Sequence, residues 1–164
     1  MLDSSESTLW IGNAHHLHRM NLNTKEIERV RDFYVVKSIA KDDNNLLIGT
    51  DNGLYVCDRQ GTWHLISHDA RNSQSLSSNV VNMFFKDANG NIWIGTDNGI
   101  SLAAHNPSIR SRSLFDITGS DEGCQISSIQ RTVDSTLWLG GSRGLIKLKT
   151  DMQGNNIRRC YQMS

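Results

Sequence analysis

The chain has 164 residues, 37% of them hydrophobic, and 17 Lys and Arg against 17 Asp and Glu, for a formal net charge of +0. That balance excludes the basic face or stripe of a nucleic-acid binder, and no run approaches the roughly 18 apolar residues of a membrane helix, so this segment is expected to contact neither. One proline and 13 glycines suit many tight turns, the length and apolar share suit a single domain with a real core, and Met1-Leu2-Asp3-Ser4-Ser5 lacks the basic and apolar regions of a signal peptide.

Cys57, Cys124 and Cys160 are odd in number and stand at no metal-ligand spacing, so they read as small hydrophobes buried in strands rather than zinc or redox groups. They leave the compartment undecided.

Along the chain one short pattern recurs. It appears as Leu9-Trp10-Ile11-Gly12, Leu46-Leu47-Ile48-Gly49, Ile92-Trp93-Ile94-Gly95 and Leu137-Trp138-Leu139-Gly140, its glycines separated by 37, 46 and 45 residues. A period of roughly 40–50 residues built from strands and turns is the signature of propeller blades. The fold class is therefore all-β: a β-propeller fragment of about four blades of four antiparallel strands, the first blade incomplete.

Blade one, about 1–32, takes Met1–Asp3 as the end of an inner strand, then Thr8–Asn13 and Leu17–Met20. Glu26–Arg31 suits an outer strand, although its apolar spacing also suits a helical turn. Blade two, about 33–68, takes Val35–Ala40, Leu46–Thr50, Leu54–Cys57 and Thr62–Ile66. The polar connection His68–Ser78 follows, the longest irregular stretch, with Leu76 expected in the core. Blade three, about 79–118, takes Val80–Lys86, Ile92–Thr96, Ile100–Ala104 and Ser113–Ile117. Blade four, about 125–161, takes Ile126–Thr132, Leu137–Gly140, Leu145–Lys149 and Ile157–Tyr161. All four form one partial domain. Such an arc exposes sheet edges unless further blades, or a second copy in a homodimer, close it.

The fullest copy, Asp87-Ala88-Asn89-Gly90-Asn91-Ile92-Trp93-Ile94-Gly95-Thr96-Asp97-Asn98-Gly99-Ile100, closely resembles the two-component regulator propeller repeat, with Ser75-Leu76-Ser77-Ser78-Asn79-Val80-Val81 as its lead-in. The resemblance covers essentially the whole chain. The second copy departs at Leu47 and the first at Ala14-His15-His16. The family builds the sensor region of hybrid two-component sensor histidine kinase/response regulators of the Bacteroides type. Its members sense oligosaccharides in the periplasm and carry two seven-bladed propellers, a small β-sandwich, a membrane helix, a kinase, a receiver and a DNA-binding module. The resemblance thus implies a piece of a periplasmic, carbohydrate-sensing domain of an inner-membrane-anchored protein, partnered by an oligosaccharide and by the remaining blades of its polypeptide.

The D-x-x-G-x-x-W element also resembles the Asp-box turn of sialidases. Asp87 and Asp134 are expected to cap their turns through backbone N–H groups, and Trp10, Trp93 and Trp138 to pack between blades. Gly12, Gly49, Gly95 and Gly140 anchor the repeat, and Gly53, Gly90, Gly99 and Gly144 sit in its turns. His15, His16 and His18 have the look of a transition-metal cluster, but His15 and His16 fall on a hairpin turn and no acidic or cysteine partner lies nearby in sequence, so no metal is expected. Gly140-Gly141-Ser142-Arg143-Gly144 resembles a phosphate-cradling loop, but a strand rather than a helix follows it, which removes the basis for that chemistry. No activated-nucleophile signature occurs, and the pairs Asp42-Asp43 and Asp121-Glu122 read as solvated turns. Neither catalysis nor a cofactor is expected.

Ligands of propellers usually sit where the turns between second and third strands meet the crossovers between blades. Here that face holds Asn13–His16, Thr50–Asn52, Arg71–Ser75, Thr96–Asn98, Asp121–Gly123 and Ser142–Arg143. Arg143 and Arg71, whose guanidinium groups suit a carboxylate or sulfate, are the leading ligand-binding candidates, with Asn72, His15 and His16 beside them. Three readings remain: a sensor module, a protein-interaction scaffold, and an enzyme of the sialidase or lyase type. Fold alone does not choose among them.

Overall fold

In the computed structural model, sixteen strands form four antiparallel sheets among the described residues. These residues are 1–164 without 44, 73, 104–108, 114–116, 118, 120–123, 151–155 and 162–164; for 109, 110, 150 and 156–160 the backbone alone is described. The first sheet holds β1 Leu2–Asp3, β2 Thr8–Gly12, β3 His16–Asn21 and β4 Ile27–Asp32. The second holds β5 Val36–Asp42, β6 Asn45–Thr50, β7 Gly53–Cys57 and β8 Trp63–Ile66. The third holds β9 Val81–Lys86, β10 Ile92–Thr96, β11 Gly99–Ala103 and β12 Ile109–Arg112, and the fourth β13 Ile126–Arg131, β14 Leu137–Gly141, β15 Gly144–Thr150 and β16 Asn156–Tyr161. Within each sheet the strands neighbour one another in chain order, as in the blades of a propeller. The segment open to a helical reading is strand β4.

One strand differs from its sequence assignment. The outer strand of blade three is Ile109–Arg112, pairing with β11 from Ala103↔Ile109 to Ile100↔Arg112, and not Ser113–Ile117. Ile117 lies outside any strand, 2% exposed, packed with Ile100, Cys124 and Ile126. The polar Ile-Arg-Ser-Arg run suits a solvated outer strand, whereas burying Ile117 in the core removes its apolar surface from water. Phe33 and Leu76 do the same in the two preceding connections, 9% and 1% exposed. Cys124 is buried and Cys57 only partly so, its thiol pushed up by burial; the side chain of Cys160 lies outside the described residues.

Alternation along each second strand sends successive residues to opposite neighbours. Ile92 and Ile94 face blade two, in a cluster with Leu47, Leu54 and Val81. Trp93 faces blade four, against Ile126 and Leu139. The repeat glycines lie on this forward face, where they make room. A Cβ on Gly12 would stand 2.2 Å from Val36 Cγ1, one on Gly49 2.7 Å from Val81 Cγ1, and one on Gly95 3.0 Å from Ile126 Cγ2. Val36, Val81 and Ile126 each open the inner strand of the next blade. Within their own sheets a Cβ on Gly49 would also meet Ser38 Oγ at 2.3 Å and one on Gly95 Met83 at 2.9 Å, and one on Gly140 meets Ser128 of its own sheet alone among the described residues. Trp10 and Trp93 pack between blades as expected. Trp138 instead stacks on Tyr161 of its own sheet at 6.0 Å, with Lys147 Nζ 5.0 Å from its ring centroid, because no fifth sheet covers that face among the described residues.

Ion pairs repeat at the end of the inner strands. Lys41 pairs with Asp3, and with Glu6 at 3.0 Å; Lys86 pairs with Asp42 at 3.0 Å; Arg131 pairs with Asp87 at 2.6 Å. Each cation follows the β-branched residue of its strand by five positions and reaches back to the preceding blade. Asp42 is thus an inter-blade partner rather than a solvated turn residue. Asp87 also accepts the Asn89 and Asn91 backbone N–H groups at 2.9 and 3.0 Å and the Trp93 indole N–H at 3.1 Å. Burial pushes its carboxyl up, but the indole, Asn91 and Arg131 outweigh that and hold it at about 2. Asp134 caps its turn within its own sheet, held well below the usual carboxylate range by Thr132, Thr136 and Lys149. Asp121 and Glu122 lie outside the described residues.

Two outcomes follow from these contacts. Gly49→Ala should cost about 1–3 kcal/mol in urea denaturation, and more than Gly95→Ala, because its Cβ would come 2.9 Å from the Val81 backbone carbonyl, whereas Gly95 meets the flexible Met83 side chain at 2.9 Å. Asp87, depressed from 3.8 to about 2, should contribute about 2 kcal/mol above pH 4 that disappears as pH falls through 2; pH-dependent denaturation of Asp87→Asn, which lacks that slope, checks it.

Candidate functional site

The inner strands share an irregularity. Thr50 pairs with Val36 but Gly49 with Ser38, Thr96 with Val81 but Gly95 with Met83, and Gly141 with Ile126 but Gly140 with Ser128. The skipped residues are Lys37, Asn82 and Ser127. Such a bulge re-aims a side chain that would otherwise sit in the ladder. Since β5 packs on β9 and β9 on β13, and innermost strands surround a propeller's axis, these residues form a rim around it.

The rim is a connected polar network. Lys37 Nζ lies 3.1 Å from Asp51 Oδ1 and donates across to Asn82 Oδ1 at 3.4 Å. Gln125 Nε2 donates to the same oxygen at 3.2 Å, and Asn82 Nδ2 to Asp97 Oδ1 at 2.8 Å. Ser127 Oγ donates to the Gly140 carbonyl at 3.3 Å. Three blades are therefore joined at one end by amide donors and acceptors with one cation, Lys37, and two carboxylates, Asp51 and Asp97, an arrangement suited to a hydroxyl-rich ligand.

The hairpin turns flank this rim. Thr50 and Thr96, both buried, donate to the Gly53 and Gly99 carbonyls at 2.9 and 3.0 Å and accept the Asn52 and Asn98 N–H groups. Gly99, at φ 118, could not be replaced without a Cβ 2.1 Å from the Arg112 carbonyl. The turns bond directly to the crossovers: Gly53 N–H to Asn79 O at 2.7 Å, Ser142 N–H to Gln125 O at 3.2 Å, and Val36 N–H to Asn13 O at 3.0 Å. Ser77, buried beneath the second crossover, bonds Thr96 Oγ1 at 2.9 Å and Ser101 Oγ at 3.0 Å.

The five ligand candidates fall at three places on this face. His15 and His16 occupy the β2–β3 turn, both backbone N–H groups donating to Asn13 Oδ1 at 2.8 Å, with His16 Nδ1 3.1 Å from Asp32 Oδ1. Arg71 and Asn72 are exposed on the crossover, where the Asn72 side chain accepts the Gln74 N–H at 3.0 Å and so helps hold the turn. Arg143 is exposed next to Ser142. The turn at 121–123 lies outside the described residues. Among the described residues no three His, Cys, Asp or Glu side chains converge where they could hold a metal ion. Sequence reading missed Lys37, Asn82 and Gln125. For the first two the signal is a polar residue directly after the β-branched opener, as in Val36-Lys37, Val81-Asn82 and Ile126-Ser127.

Residues 75–98 match the family described as two component regulator propeller. They form a two component regulator propeller repeat. Its opening Ser75, Leu76 and Ser77 are all buried, which ties this repeat's lead-in to the packing of the crossover. No curated protein matches the chain. Two solved structures of one extracellular domain from B. thetaiotaomicron, assigned in one to a hybrid two component system and in the other to a one component system, are similar to it at 36% and 38% identity. They cover 99% and 96% of this chain with a TM-score of 0.61, and the chain spans 22% of each. A streptogramin B lyase, 10% identical at a TM-score of 0.62 over 98% of this chain and 53% of its own, shares the fold alone.

Asn82 is the node of the rim, so Asn82→Ala should cost about 0.5–1.5 kcal/mol through the lost bonds to half-buried Asp97 and exposed Gln125, and Ser127→Ala less. Chemical denaturation of the two variants measures the difference.

Proposed function

We propose that the chain is part of the ligand-sensing propeller of a periplasmic receptor domain, recognising an oligosaccharide and non-catalytic in itself, within a hybrid two-component sensor whose histidine kinase lies elsewhere in the polypeptide. The observation that carries this reading is the 36–38% identity, over 96–99% of the chain, to the extracellular domain from B. thetaiotaomicron. The dense set of donors and acceptors on the rim of Lys37, Asp51, Asn82, Asp97 and Gln125 supports a polyhydroxylated ligand. Arg143 and Arg71 supply guanidinium groups for any acidic substituent, with Asn72, His15 and His16 as further contacts.

The remaining blades of the same polypeptide are the nearest partners. Gly140 and Trp138 present the same forward face that Gly12 and Gly95 fill with the next blade's Val36 and Ile126, which favours a further blade there.

Calorimetry on the whole ectodomain tests the reading. Oligosaccharides from plant and host glycans should include a binder, Arg143→Ala should weaken an acidic one by about tenfold, and no binding across the set would overturn sensing. Unchanged affinity in Arg143→Ala would remove that residue alone.

A further inference from the structure

The first inter-blade connection carries an aromatic residue into the core. Phe33, 9% exposed, packs edge-on against Tyr55 at 5.0 Å and 72° and against Trp63 at 5.6 Å and 65°. The Arg31 guanidinium lies 5.0–5.7 Å from all three ring centroids. Cation–π contact of this kind, out of bulk water, pins the rings. In front of Phe33 and Tyr55 opens a cleft of about 250 Å³ between blades one and two, rimmed by His15, Asp32, Tyr34 and Asn52.

The rim groups are placed to receive a ligand. Asp32 Oδ1 is occupied by Arg29 Nε at 2.7 Å and by His16 Nδ1 at 3.1 Å. Its second oxygen and the Tyr55 hydroxyl make no hydrogen bond among the described residues. The Arg29 guanidinium holds the Asp32 carboxyl below its ordinary 3.8, so it is ionised at neutral pH. Tyr34 stands 83% exposed at the mouth. The volume falls below the roughly 300–1,000 Å³ of a drug-sized site, enough for one small ring.

Phe33 and Tyr55, at 72° to each other, give the cleft a pinned apolar corner that suits the C–H groups of a sugar ring, and a carboxylate acceptor at its edge suits hydroxyl donors. The same carboxylate repels an acidic substituent. The geometry points to a monosaccharide subsite in this cleft, selective for a neutral unit: its C–H groups against Tyr55 and the exposed edge of Phe33, its hydroxyls donating to Asp32 and bonding Asn52 and His15. This inference rests on the carbohydrate reading above, but it places the contact off the axis, away from Arg143 and Arg71.

The test is saturation-transfer NMR on the whole ectodomain with glucose, galactose, mannose, xylose and arabinose, and with glucuronate and galacturonate. At least one neutral sugar should show transfer, and any transfer to the uronates should persist in Tyr34→Ala, because it belongs to the Arg143 and Arg71 face and not to this cleft. Tyr55→Ala should abolish the neutral-sugar transfer, and Asp32→Asn, a substitution at a 67% exposed side chain, should weaken it by about tenfold. Tyr34→Ala, which removes no core packing, should reduce it, so the inference does not hang on Tyr55→Ala folding. If the neutral sugars show no transfer, or bind unchanged in Asp32→Asn and Tyr34→Ala, the subsite is wrong. If the whole ectodomain still binds an oligosaccharide in calorimetry, the sensing reading survives that failure; if it binds none, both fall.

Discussion

The fold depends on a steric pairing between a glycine of one blade and a β-branched residue of the next. The second strand of each blade presents large aliphatic side chains backward and a glycine forward, and Val36, Val81 or Ile126 fills the space the glycine leaves. A methyl group at Gly12 or Gly49 would sit inside van der Waals contact. Close-packed interiors have no slack to absorb it. This pairing sets the distance between sheets near the axis. The ion pairs of Lys41, Lys86 and Arg131 tie the far end of each inner strand to the preceding blade. Both act through one strand, which is why a β-branched residue and a cation recur five positions apart.

Much of this is legible in the amino-acid sequence. Four glycines at one period mark the blades, because a packing constraint imposed at every interface must reappear in every copy. Asp87 reads as a turn cap from local spacing, since its turn partners lie within a few residues. Leu76 belongs in the core because it is the one large apolar residue in a polar connection. The signals that fail are those needing a partner distant in sequence. Ser113–Ile117 reads as a strand because Ile117 is apolar, yet the core claims that side chain and the more polar Ile109–Arg112 takes the edge. Asp42 reads as solvated because its cation, Lys86, lies a blade away.

The rim shows the same limit in another form. A bulge is a property of two strands, and nothing in Val81-Asn82-Met83 alone says that Asn82 will be skipped by Gly95 and Thr96. Only after pairing does a polar residue inside an apolar strand become intelligible. It would be costly in the ladder's apolar flanks, and here it is turned toward Lys37, Asp97 and Gln125. The rim is therefore a product of register, and its composition follows from residues that the core does not need.

The connections between blades explain where recognition has room to differ. Glycine socket, cation and bulge repeat, so they serve the fold at every interface and carry no distinction between one interface and the next. The plugs do differ. Beneath Leu76 the second interface is closed by hydroxyl contacts among Ser77, Thr96, Ser101 and Ser111, short side chains that draw the crossover down onto the hairpin. At the first interface the corresponding volume is held by Phe33, Tyr55, Trp63 and Arg31, rigid groups that meet edge-on and prop the crossover open. The cleft lined by His15, Asp32 and Asn52 opens in front of Phe33 and Tyr55. A repeat built on one socket thus yields a closed interface or an open one according to a few residues outside the repeat.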